Sequence, residues 1–226
     1  MHRGEGGAFL VFPDDFNKQA LELIQEKKYN EAAVLLRDAV HSMPDGWKPI
    51  ETTPAGTLVR AWSGDEFAAY SAWHSRAGLP GEPKWESPSY SHAWYLLAAI
   101  YVDHEQYDDA LRLLATGTQL ERDHPDLLCE GGFVLHRVGD LDAALKAYEI
   151  ALDARPWITP RQKARALRGS SSVLADLGRF GEAESRLVQA QELEPDNEIT
   201  RRGLQYVRDR IKDAVVEKDS STAGGS

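Results

Sequence analysis

The stretch LDAALKAYEIALDARP, residues 141 to 156, decides how the chain folds. Leu141 is followed three residues on by Ala144, four further on by Tyr148 and three beyond that by Ala151, a spacing that lays one stripe along a helix. Pro156 then ends the segment, because proline lacks the N–H that a continuing helix needs. The same pattern returns in YNEAAVLLRDAVHSMP (29 to 44), YDDALRLLATGTQLER (107 to 122) and FGEAESRLVQAQELEP (180 to 195). Small residues recur at Ala32, Ala110 and Ala183 and again at Ala39, Gly117 and Ala190, with Leu36, Leu114 and Leu187 between them.

Upstream of each segment lies a second amphipathic stretch with its own small residue, at Ala20, Ala98, Gly132 and Ser171, and a large one three later, at Leu23, Tyr101, Leu135 and Leu174. Small side chains at these points let two helices approach closely, and the large ones fill the space beside them. The unit is a helix-turn-helix of 34 residues. In this period and small/large pattern the sequence resembles the tetratricopeptide repeat (TPR) family.

The resemblance implies a mainly α fold, a TPR α-solenoid of about four repeats at 13 to 46, 91 to 124, 125 to 158 and 164 to 197. Repeat 1 departs from the family pattern at Gln19, repeat 2 at Gly117 and Arg122, and five extra residues within ITPRQK separate repeats 3 and 4. Residues 198 to 217 keep apolar Ile199, Tyr206, Val207 and Ile211 in an otherwise charged segment, as a terminal capping helix requires. Residues 1 to 12 form an N-terminal segment, and 218 to 226 read as a disordered tail.

Aligning Ala32 with Ala110 leaves 78 residues where one period of 34 would serve, so 44 residues have been added, at 47 to 90. They hold Trp47, Trp62, Trp73 and Trp85, far too much aromatic surface for a linker. Thr57 to Trp62 and Phe67 to Trp73 are rich in strand formers, with Ser63-Gly64-Asp65-Glu66 as a turn, so the insert reads as a β-hairpin module. Its opening WKPIETTP also resembles an uncharacterised phage-associated β domain that begins Trp-x-Pro-Ile-x-x-x-Pro, which implies a structure and no activity.

The net charge of -10 excludes general affinity for nucleic acid or anionic membrane. Residues 155 to 212 depart from that balance, with twelve Lys or Arg against eight Asp or Glu. No apolar run suffices to span a bilayer, the N-terminus lacks a signal-peptide pattern, and the single Cys129 suits a reducing compartment, so the expected location is cytoplasmic. The seven histidines show no metal-ligand spacing, GEGG near the start lacks the context of a phosphate loop, and no catalytic residue, metal or cofactor is expected.

A solenoid of this kind leaves a concave surface lined by the first helix of each repeat. By resemblance to TPR proteins, the groove-facing positions include Asn17, Leu21, Ile24, His92, Tyr95, Ala99, Val102, Cys129, Phe133, His136, Arg137, Arg165, Arg168, Ser172 and Asp176, with Arg202 and Tyr206 from the cap. Tyr95, Phe133, His136, Arg137, Arg165, Arg168, Arg202 and Tyr206 are the expected groove contacts, and Trp62, Tyr70 and Trp73 those of the insert. The set turns from apolar to basic along the chain, which matches an apolar peptide bearing one or two carboxylates, the arginines acting as anchors. The function this implies is a non-enzymatic scaffold or adaptor for a protein or peptide partner. The alternative is a bacterial immunity protein that blocks a cognate toxin.

Overall fold

The computed structural model describes residues 15–54 and 56–223, with side chains as far as residue 214; the expected N-terminal segment 1 to 12 and the last three residues of the tail lie outside the described residues. Four helix pairs follow one another: α1 (Phe16–Gln25) with α2 (Tyr29–His41), α4 (Tyr90–Asp103) with α5 (Tyr107–Leu120), α6 (Pro125–Arg137) with α7 (Leu141–Leu152), and α8 (Pro160–Asp176) with α9 (Phe180–Leu193). The final helix α10 (Glu198–Ala223) packs on α9 and α8. It continues through residues 218 to 223, where the sequence suggests a disordered tail.

The small residues of the 3-4-3 stripe are where the helices meet. Ala32, Ala39, Ala110, Ala144, Ala151, Ala183 and Ala190 are completely buried. The Tyr148 ring lies against Gly132 of its own repeat and Gly169 of the next, where a Cβ on Gly132 would come within 3.0 Å of it and one on Gly169 would overlap it. The turn inside each pair uses one residue with positive φ, at Lys27, Glu105, Gly139 and Gly178. Those positions are 78, 34 and 39 residues apart, so the backbone carries the same 44- and five-residue additions as the sequence.

Four of the five extra residues lengthen α8 at its start, giving it 17 residues against 13 in α6. Thr159 accepts a hydrogen bond from the Gln162 N–H, and the Gln162 side chain accepts one from the Thr159 N–H, a reciprocal cap that fixes the first turn.

The insert contains a sheet and a helix. β1 (Ile50–Thr53) pairs antiparallel with β2 (Gly56–Val59), and β3 (Pro83–Trp85) adds in parallel to β2. The hairpin therefore lies earlier than the sequence suggests. The expected second strand, 67 to 73, belongs to helix α3 (Gly64–Arg76), and the expected turn at 63 to 66 is that helix's start. The Ser63 side chain accepts from the Glu66 N–H, Asp65 and Glu66 occupy the favourable first turn, and Glu66, Tyr70 and His74 follow at four-residue spacing as a buried face. Phe67, Tyr70 and Trp73 are strong strand formers individually, and the cap together with burial of the 66-70-74 face overrides them.

Candidate functional site

The insert is fastened to the repeats by a buried polar cluster. Helix α3 brings Glu66 beside His124, the N-cap of α6, with Glu66 Oε1 3.0 Å from His124 Nε2. Arg155, in the connection between α7 and α8, reaches Glu66 and also Glu121, the latter at 3.0 Å. Glu121 accepts a hydrogen bond from the Ser91 hydroxyl, and Ser91 accepts one from the Trp62 indole N–H at 3.2 Å. His124 Nδ1 accepts the Asp126 N–H at 3.2 Å, so in the neutral ring the proton sits on Nε2, on the Glu66 side.

Burial alone would raise the Glu66 carboxyl, but His124 and Arg155 outweigh it and hold Glu66 at about 2. Burial, reinforced by His124, depresses His92 to about 3 and keeps it neutral. Glu66, Glu121 and His124 place donor atoms within 4.8 Å of one another, as a metal site would. The Arg155 guanidinium stands between the two carboxylates and already supplies the positive charge. Cys129 is buried and its thiol is pushed up to about 12, which leaves it in the unreactive protonated form.

The expected groove residues fall into two groups. Arg165 meets Asp126 at 2.8 Å, Glu130, and the Tyr95 hydroxyl at 3.3 Å, while Arg168 meets Glu194. Arg137 donates to the Tyr107 hydroxyl at 3.1 Å, and Arg202, 79% exposed, reaches Glu198 at 3.1 Å. Arg165 and Arg168, expected to receive a partner's carboxylates, are thus engaged by groups of their own chain, while Arg202 makes only an exposed pair within its own helix. By contrast Phe133, Tyr206 and Ile199 are 40%, 55% and 70% exposed.

His136, Arg168 and Tyr206 come together around a depression of about 230 Å³, together with Ser171, Ser172, Asp176 and Ile199. His136 Nε2 lies 2.6 Å from Asp176 Oδ2 on its rim. Ile199 and Gly203 are not among the expected site residues, although with Tyr206 they follow a four-then-three spacing along one face of α10.

The insert residues separate in the same way. Tyr70 is buried and meets Trp157 edge-on with centroids 5.1 Å apart; Trp73 packs on the same ring. Both therefore serve the solenoid's own contact. Trp62 stacks on His92 at 4.6 Å and on His124 at 3.4 Å. Trp85, absent from the expected set, is 48% exposed. It borders a second depression of about 230 Å³ with Asn17, Leu21, Trp62, Ser89 and His92.

No protein-family model matches the chain, and no curated protein matches it in sequence; the likeness of the insert to a phage-associated domain has no such support. Solved structures do share the fold. PilF of Pseudomonas aeruginosa is 12% identical with a TM-score of 0.62, covering 93% of this chain and 75% of its own. A tetratricopeptide repeat protein from Parabacteroides merdae is 12% identical with a TM-score of 0.56, over 88% of this chain and 59% of its own. The first TPR domain of human RPAP3 is 17% identical with a TM-score of 0.50, over 54% of this chain and 93% of its own. With four helix pairs in register and these neighbours, the chain has the tetratricopeptide-repeat fold, an α-solenoid carrying one mixed α/β insert.

Proposed function

We propose that the protein is a non-enzymatic interaction scaffold that holds a peptide segment of a partner protein in its concave groove. The observation that carries this reading is the C-terminal depression, where Tyr206 and Ile199 stand exposed beside the His136 and Asp176 pair. Large apolar side chains at the edge of a concave pocket are the usual anchors of recognition. The occupied state of Arg165 and Arg168 shifts the expected partner from an acidic toward an apolar segment, with hydrogen-bonding groups that suit Ser171, Ser172 and the His136 rim. No helix among the described residues is long and apolar enough to cross a membrane, and we place the scaffold in the cytoplasm on the strength of its single cysteine. No observation favours the immunity reading. Photo-crosslinking from position 206 with peptides selected from a displayed library tests the proposal: adducts are expected from position 206 and not from Lys146 on α7. Equal labelling from both positions would remove its basis.

A further inference from the structure

At the opposite end of the concave face, we propose that the cavity between α1, α4 and the insert is a second recognition pocket, which takes one apolar side chain of the bound peptide together with a backbone N–H of that peptide. The proposal rests on the scaffold reading above and names what this end of the groove recognises. The apolar wall is made by Leu21 and the indoles of Trp62 and Trp85, around about 230 Å³, room for one residue. The polar element is Asn17, which lines the cavity and is 5% exposed. Its Nδ2 donates to the Ser89 carbonyl at 2.7 Å, which fixes the orientation of the amide, and Oδ1 is left buried with no hydrogen-bond partner among the described residues. A buried carbonyl oxygen without a partner is unfavourable, and an arriving N–H relieves it.

A charged ligand fits this chemistry less well. Helices α1 and α4 both begin here, and the positive ends of their dipoles disfavour a cation. The Asp15 carboxylate, which already accepts the Asn17 and Lys18 N–H groups, disfavours an anion. Lys18 at the rim and neutral His92 leave the floor close to uncharged. A neutral amide meets every group present: its N–H satisfies Asn17, and its side chain covers the indoles.

Two small probes test this on the full chain, N-acetyl-leucine methylamide and its fully N-methylated analogue, which keeps the apolar body and has no N–H. With ¹⁵N-labelled protein, the methylamide is expected to shift the Trp62 and Trp85 indole resonances saturably, and the analogue to bind about tenfold more weakly. Asn17→Leu should erase the difference between the probes, and Trp85→Ala should weaken both. Tyr206→Ala, in the other depression, should change neither, so that failure here is separable from failure of the scaffold reading. No saturable shift, or equal affinity for the two probes, would overturn the proposal; that comparison uses the unaltered protein and stands even if Asn17→Leu does not fold.

Discussion

Trp73 and Trp157 pack ring against ring, with centroids 4.6 Å apart and planes tilted by 48°. Trp73 belongs to the insert between the first two repeats, and Trp157 to the connection between the last two. The two places where the repeat spacing breaks are therefore in contact with each other. The insert spans from repeat 1 to the repeat 3–4 junction and braces the array along one edge.

Removal of that contact should loosen the brace. Trp157→Ala is expected to lower stability by about 2 kcal/mol, from lost aromatic packing at a half-buried site. Urea denaturation measures the loss, and limited proteolysis should find the loop after α3 cut faster. An unchanged midpoint with unchanged cleavage would show that the insert does not depend on this contact.

Glu66→Gln should be more damaging than the near-identical shape of the two side chains suggests. It leaves the Arg155 guanidinium buried with less compensating charge and His124 Nε2 facing a weaker acceptor, and a loss of about 3 kcal/mol is expected. Replacing both partners, Glu66→Leu with Arg155→Met, should restore part of that loss. If the double variant is less stable than the sum of the singles, the desolvation argument fails.

Stability should fall in acid. In the folded protein His92 sits at about 3 and Glu66 at about 2, against ordinary values of 6.5 and 4.5. As pH drops below 6.5 the unfolded chain takes up a proton on His92 that the folded one refuses, and below 4.5 the same holds for Glu66. The unfolded state therefore binds more protons across this window, and stability declines as pH falls. Denaturation midpoints should be level above about pH 7, decline from about pH 6.5 and fall more steeply below about 4.5. His92→Gln should flatten the upper part of that slope, and a wild-type curve flat from about pH 7 to about pH 5 would contradict the burial of a neutral His92.

The glycines of the repeat make opposite predictions. A methyl group on Gly131, in α6, would meet nothing within 4 Å, so Gly131→Ala should stabilise the helix by up to about 1 kcal/mol. Gly169 faces the Tyr148 ring, and Gly169→Ala should destabilise by about 1–3 kcal/mol through overpacking. Thermal melts of the two variants read both signs directly.

The repeat was legible because its spacing is local: Ala144, Tyr148 and Ala151 lie within two helical turns, and each copy repeats the pattern. Helix α3 was misread for the opposite reason. Phe67, Tyr70 and Trp73 carry strand propensity, while the helix signal lay in Ser63 capping Glu66 and in burial of the face at 66, 70 and 74. The intramolecular pairing of Arg165 and Arg168 was not legible because their partners come from distant sequence. Glu130 is 35 residues from Arg165, and Glu194 is 26 from Arg168. Glu66 and Arg155, 89 residues apart, could be paired only by the fold. Tyr206 and Phe133, which the repeat register assigns to the groove, are both exposed large side chains.

In the proposed scaffold an apolar peptide is held at the concave face by Tyr206 and Ile199. The most direct measurement is the affinity of a library-selected peptide for the protein and for Tyr206→Ala with Ile199→Ala, by calorimetry. Loss of two such anchors is expected to weaken binding at least about tenfold with the helical signal intact. Equal affinity in the variant, with the fold preserved, would show that Tyr206 and Ile199 do not anchor the peptide.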